Sequence, residues 1–216
     1  MDKKLDYTRI LKTLYSASLK TPEIIDVPPM YYLLIDGKGN PNNSPTYQEA
    51  VSALYTLAYA LKFTIKKTQA IEYKVLPLEG LWWVDDMSLF SVNDKDNWQW
   101  TMMIMQPDMI TEAIFSEVYS SVIKSKKIPL HLNIRFEPYH EGCSAQIMHL
   151  GPYSEEKPTI ERLHAYAHNN GYHLDGKHNE IYLGNPQKTT PQRLKTIIRQ
   201  PVQKIAPGLF RNRYCL

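Results

Sequence analysis

The sequence predicts an α+β domain in which two strand–helix–strand–strand modules join into one antiparallel sheet, with a ligand cleft between them. Three observations carry this reading. The apolar segments are short runs of strand formers bounded by Gly, Pro and Asn. Amphipathic stretches opened by a proline separate them. The order of elements then recurs: apolar strand, glycine, proline-bearing loop, helix, strand with a glutamate, final strand. Gly37 and Glu79 mark the first pass, Gly151 and Glu180 the second. Identity between the passes is low, so the repeat is architectural. Residues 1–216 read as one domain: an N-terminal helix over 5–17, a first module over about 23–106, a linking helix over about 107–127 and a second module over about 130–206.

Taken in order, Leu5, Ile10, Leu11 and Leu14 form the stripe of the first helix, which Thr21-Pro22 breaks. A short strand over 24–27 precedes YYLLI, an apolar run too short for a helix and read as a buried strand over 31–35. The turn-rich 36–45 loop leads to a helix with Pro45 in its first turn and a Thr46/Glu49 capping box, with Tyr47, Ala50, Val51, Leu54, Ala58 and Leu61 facing in. Residues 73–83 form a strand broken near Pro77 and Gly80; if the alternation survives Gly80, then Glu79, Leu81 and Trp83 share a face. A polar connection over 85–96 precedes the strand WQWTMMIM, with Trp98 and Trp100 on one face. Pro107 opens the linking helix. Strands over 130–136 and 145–150 follow, then a helix started by Pro158 and ended by Gly171. The strand over 179–183 comes next, then a short helix from Thr190-Pro191 to Arg199 and a last strand over 202–205.

Composition bounds the function. The chain has 216 residues, 43% of them hydrophobic and 22% charged, which is ordinary for a globular protein with a full core. A net charge of +3, without a dense basic block, argues against direct nucleic-acid binding. Cys143 and Cys215 make neither a disulfide framework nor a zinc site. His164 and His168 have metal-like i, i+4 spacing, but no motif fixes a third ligand, so no metal and no cofactor is expected. The charged N-terminus has no signal-peptide core and no apolar run spans a membrane, so the cytoplasm is the expected location. The unusual feature is aromatic content: 15 Tyr, 4 Trp and 5 Phe.

The central candidate is Glu180, a carboxylate in the strand Glu-Ile-Tyr-Leu, with Tyr182 on its face. Turned inward, it costs free energy unless a donor, cation or proton compensates it. It reads either as an exposed or ion-paired strand residue or as the floor of a ligand cavity. The repeat favours the floor and brings Glu79 to the same cleft from a related position. Trp82, Trp83, Trp98, Trp100, Tyr153 and Tyr182 are the candidate walls. Rings of this kind stack on flat ligands and attract cations, although each could also be core packing. Trp82 and Trp83 point to opposite faces, so at most one of them lines the cleft. Glu155 and Glu156 are second carboxylates, read first as favourable charge at a helix N-terminus.

Seven segments in consistent order, YYLLIDGKGNP, ALYTLAYALKF, VLPLEGLWW, WQWTMMIMQP, QIMHLGPY, KHNEIYLGNP and LKTIIRQPV, resemble the GyrI-like small-molecule-binding proteins over nearly the whole chain, in particular their stand-alone subgroup. The resemblance implies the duplicated fold and a central pocket for hydrophobic, aromatic, often cationic compounds, with an acidic floor residue at the position of Glu180. It implies a binding protein that protects against xenobiotics or drugs. The alternatives it brings are a cyclopropanoid cyclopropyl hydrolase, which opens DNA-alkylating cyclopropanes with water in an aromatic cage, and an interaction protein that inhibits DNA gyrase. Two departures stand out. Asn179 replaces an expected His before the glutamate, and Asn185-Pro186-Gln187 replaces an expected Asp-Pro-Arg. For the hydrolase, Glu180 would hold or deprotonate water, and Tyr182 or Tyr153 would donate to the developing oxyanion.

Overall fold

Apolar strands that alternate inward and outward need cover on both faces, and the fold supplies it with helices on one side and an N-terminal segment on the other. The computed structural model describes residues 2–87 and 95–206. A parallel pair, β1 (Lys3–Leu5) and β4 (Ile71–Tyr73), stands apart. The other described strands are β2 (Glu23–Val27), β3 (Met30–Lys38), β5 (Leu78–Trp83), β6 (Gln99–Met105), β7 (Arg135–Tyr139), β8 (Gly142–Leu150), β9 (Tyr172–Leu174), β10 (His178–Tyr182) and β11 (Lys195–Lys204). They form one curled antiparallel sheet in the order β2-β8-β11-β10-β5-β6-β3-β7, with β9 alongside β11. The order places β10 and β5 at the centre. Each outer strand pairs away from its sequence neighbour: β2 joins β8, and β7 joins β3.

Three helices cover one face. The long α3 (Pro45–Gln69) lays Ala50, Leu54, Leu57 and Leu61 on Leu33, Ile35, Met102 and Ile104, and α4 (Glu112–Lys124) packs beside it. Further along, α5 (Lys157–Asn169) lays Leu163 and Ala167 on Ala145, Ile147 and Ile198. On the other face, α1 (Tyr7–Ile10) and α2 (Lys12–Tyr15) carry Leu14 and Tyr15 onto Leu81, Met103, Met105, Ile181 and Ile197. Glycine makes room for one large ring. A Cβ on Gly37 would stand 2.1 Å from the Trp100 ring, which lies across the bare backbone of its cross-strand partner.

Several boundaries differ from expectation. The N-terminal helix over 5–17 is interrupted: Leu5 is drawn into pairing with Tyr73, and Leu11 (φ −101°, ψ 42°) breaks the rest in two. Ser44, not Thr46, caps α3 and accepts from the Tyr47 N–H at 3.2 Å, which leaves Pro45 in its favoured first position. Pro107 closes a turn, and the linking helix starts only after Thr111 caps it. Residues 130–134 are irregular and the strand expected there begins at Arg135. The short helix expected up to Arg199 is a 3₁₀ turn over Pro191–Arg193, and β11 runs straight through 195–204. Pro201 is tolerated in that strand because its register lies past the last pair with β10, and its carbonyl instead accepts from the Asp175 N–H.

Candidate functional site

Period two and register decide which side chains meet. Glu180 pairs with Gly80, Tyr182 with Leu78 and His178 with Trp82, so Glu180, Tyr182, His178 and Trp82 share the helical face at the sheet centre. Glu79 pairs with Ile181 and therefore points to the opposite face. The expectation that the two glutamates share a cleft is thus overturned by an offset of one residue in the β5–β10 register. Trp82 and Trp83 do separate, Trp82 with Glu180 and Trp83 on the far side.

Glu180 is almost fully enclosed, with a side chain 12% exposed. Its Oε2 accepts from the Tyr182 hydroxyl at 2.7 Å, and its Oε1 lies 3.3 Å from His178 Nε2. The Tyr182 oxygen in turn accepts from Trp82 Nε1 at 3.1 Å. A side chain at 80 could not coexist with this arrangement, since its Cβ would come within 2.9 Å of Trp82 Nε1 and 3.2 Å of the Tyr182 hydroxyl. Around this centre the rings interlock. Trp82 lies 5.3 Å from Trp98 and 6.1 Å from Tyr47, Tyr47 stands edge-on to Trp100 at 5.3 Å, and Tyr153 is edge-on to Tyr182 at 5.5 Å. Trp100 is fully buried and serves as packing beneath Tyr47. Tyr153, in a 3₁₀ turn over Tyr153–Glu155, is the exposed member at the rim.

Glu155 and Glu156 part company. Glu155 faces solvent. Glu156 precedes α5 but makes no capping bond with its side chain; it turns inward, only 4% exposed, to lie beside Glu180 and Thr196. Two neighbouring buried carboxyls do not both ionise. Burial, then the Glu180 charge, pushes Glu156 far above the usual carboxylate range. Burial alone would also raise Glu180, but the His178 bond and charge, with the bonds from Tyr182 and Glu156, outweigh it and hold Glu180 below its ordinary value. The pair therefore carries one proton, on Glu156. Burial and the Glu180 charge raise the Tyr182 hydroxyl well above its ordinary value, so it remains a donor. The same causes, with Glu156, raise Tyr153 to about 12.

The remaining sequence candidates lie elsewhere. Trp83 lines a half-open cavity of about 220 Å³ with Leu34, Asp36, Thr101, Arg135 and Lys177, whose ammonium sits 3.3 Å from the indole centroid. Glu79 is buried under α2. At the first departure, Asn179 turns to the Glu79 face and donates to Glu141 at 3.1 and 3.2 Å, while His178 braces Glu180. At the second departure, Asn185 closes a tight turn by accepting from the Gln187 N–H at 2.8 Å. Part of the polar 85–96 connection lies outside the described residues. Sequence reasoning read Tyr47 as core and weighed His178 only as one of several histidines that could suggest a metal; the signal for its link to Glu180 was the two-residue spacing.

No curated protein matches the chain. Among solved structures, a conserved protein of Listeria innocua is 35% identical over 92% of this chain and 100% of its own, with a TM-score of 0.83. A hydrolase of Listeria innocua, also 35% identical, covers 93% of this chain and 100% of its own at a TM-score of 0.82. The EcmrR C-terminal domain, at 14% identity and a TM-score of 0.53 over 86% of this chain and 98% of its own, shares the fold. The GyrI-like small molecule binding domain matches residues 20–203, so the chain belongs to the GyrI-like family.

Proposed function

We propose that the protein is a hydrolase of hydrophobic aromatic small molecules, acting at Glu180. The observation that carries this reading is the pair of adjacent buried carboxyls among aromatic rings, Glu156 pushed up by burial and the Glu180 charge, Glu180 held down by its donors. Neighbouring groups pushed to opposite protonation states are the arrangement acid–base catalysis needs. The hydrolase of Listeria innocua, similar over 93% of this chain and all of its own, supports the reaction class.

Activated cyclopropanes of the DNA-alkylating kind are the first substrates to test. Water adds to the strained methylene carbon as a ring C–C bond breaks, and the released electron pair passes through the conjugated system to the carbonyl oxygen. Glu180 takes a proton from the water, and an acid returns one to that oxygen, so the product is the substrate plus one water. Tyr182 is poorly placed as that acid, because its single proton is committed to Glu180 and its oxygen already accepts from Trp82. Tyr153, exposed at the rim and without a hydroxyl partner in the described hydrogen bonds, is the better donor. Burial and the Glu180 charge keep its proton in place at neutral pH.

A second reading rests on a specific observation: both Glu180 oxygens already accept from the protein. This favours a fixed anionic anchor for aromatic cations, which are captured without turnover. Mass spectrometry separates the two. A catalytic gain of one water supports hydrolysis. Quenching of Trp fluorescence with the compound recovered intact supports capture, and neither signal with any aromatic probe would end both readings.

A further inference from the structure

The far face of the sheet holds a second buried polar cluster that the proposed chemistry does not use. Arg199 of β11 donates through Nη1 to Glu141 Oε2 at 3.1 Å and through Nε and Nη2 to Gln146 Oε1 at 3.2 and 3.1 Å. Its Nη2 also donates to the Leu14 carbonyl, and Gln146 Nε2 donates to the Thr13 carbonyl at 2.8 Å. These two carbonyls end α2 and have no helical partner of their own. Tyr15 completes the attachment by donating to Glu79 Oε1 at 2.9 Å. Three side chains of the sheet thus hold α2 down.

Among the described residues, two acceptors in this cluster lack a donor: Glu79 Oε2 and Asn179 Oδ1. Both residues are at least 99% buried. They are diagonal neighbours on one face of adjacent strands, and their side chains meet. One proton answers both, since a neutral Glu79 carboxyl can donate to the Asn179 carbonyl while its other oxygen accepts from Tyr15. Ionised Glu79 would instead place a second carboxylate beside Glu141, with Arg199 the one cation to balance the two among the described residues. Leaving such a charge uncompensated in the interior is costly.

We propose that α1 and α2 form a proton-latched strap, docked over Glu79 while that carboxyl keeps the proton it shares with Asn179 and loosened when the proton leaves and the covered charge is drawn toward water. The groups that face Glu79 are Tyr15 from α2, Tyr32 from β3, Tyr139 from β7, Asn179 from β10, Arg199 from β11, and Glu141. Burial, against the opposing pull of Arg199, brings Glu79 to about 7, so the latch responds within the physiological range. Because the docked value lies above the ordinary carboxylate value, docking is strongest in acid. It weakens as pH rises toward about 7 and levels off above that. Lifting the strap would uncover the apolar floor of Leu81, Met103, Met105 and Ile181, next to the cavity that Trp83 lines.

The test is amide hydrogen exchange across residues 7–17, expressed as protection factors so that the intrinsic pH dependence of exchange cancels, on wild type, Glu79→Gln and Tyr15→Phe. The amide of the Glu79→Gln variant mimics the neutral acid, accepting from Tyr15 and donating to Asn179. In wild type, protection should fall about tenfold or more between pH 5 and pH 8. In Glu79→Gln it should stay level, and Tyr15→Phe should lower it at pH 5. A carbon-13 titration of Glu79 in the wild-type protein gives an independent reading, with a midpoint near neutrality that coincides with the loss of protection. Level protection in wild type, a parallel fall in Glu79→Gln, or a Glu79 midpoint in the ordinary carboxylate range would each overturn the proposal.

Discussion

Around Glu180 each neighbour has a separate job, so single substitutions separate their effects. Tyr182→Phe removes a donor to Glu180 and an acceptor for Trp82. It should cost about 1–3 kcal/mol of stability, measured by urea unfolding. Glu180 loses one of the bonds that hold its pKa down, so the acid limb of the pH–rate profile should move to higher pH. Glu156→Gln keeps a neutral donor beside Glu180 and should leave that limb near its wild-type position. Glu156→Leu should move it up and slow turnover. Equal profiles for these two variants would mean that Glu156 does not act on Glu180. Glu180 and its Tyr neighbour could be read from the sequence because both chemistry and period two are local. Glu156 could not, since nothing local says that an acid before a helix turns inward rather than toward solvent. His178 was legible in principle, since it stands on the same side of β10 as Glu180.

The elements depend on a few local contacts. Gly37→Ala would drive a methyl group into the Trp100 ring at 2.1 Å, with β3 and β6 fixed on either side. Overpacking of this kind should cost about 1–3 kcal/mol or more, a fall of several degrees in Tm. Because Trp100 supports Tyr47, ligand affinity should fall as well. Ser44→Ala, which loses the cap of α3, should cost about 1 kcal/mol with no effect on ligand affinity. Most of these elements were legible in the sequence, since YYLLI, WQWTMMIM and the stripe of α3 carry clear periods. The misreadings have physical causes. LKTIIRQPV looked helical after Thr190-Pro191, but sheet neighbours on both sides hold it as β11. Pro107 looked like a helix start, but the capping bond belongs to Thr111.

For the whole molecule, charges buried on opposite faces set opposing pH dependences. Glu79 sits high, at about 7, so its share of stability is full below the ordinary carboxylate value and is lost as pH rises to about 7. His164 sits low, at about 4, because burial and then the neighbouring His178 and His168 disfavour its charge. Its share is full above the ordinary histidine value and is lost as pH falls toward 4. Stability should therefore peak in mildly acidic solution. The gap between wild type and Glu79→Gln should change by about 2–3 kcal/mol between pH 5 and pH 8, read from urea midpoints. A constant gap would mean that Glu79 titrates normally. At this scale the sequence told least. The α+β class and the antiparallel sheet could be read, but the exchange of β2 and β7 between outer edges could not. Nor could the one-residue register that sends Glu79 and Glu180 to opposite faces, because pairing partners are set by long-range contacts.

If Glu180 activates water at this aromatic site, its loss must abolish turnover while binding survives. Wild-type protein and Glu180→Gln are incubated with a cyclopropane-bearing, duocarmycin-type alkylator, and the compound is followed by mass spectrometry alongside Trp fluorescence. Wild type should give multiple turnovers to the product one water heavier, with a loss of roughly a hundredfold or more in the variant while fluorescence quenching persists. Equal turnover by the two proteins would contradict it, as would a compound that quenches fluorescence yet is recovered unchanged from wild type.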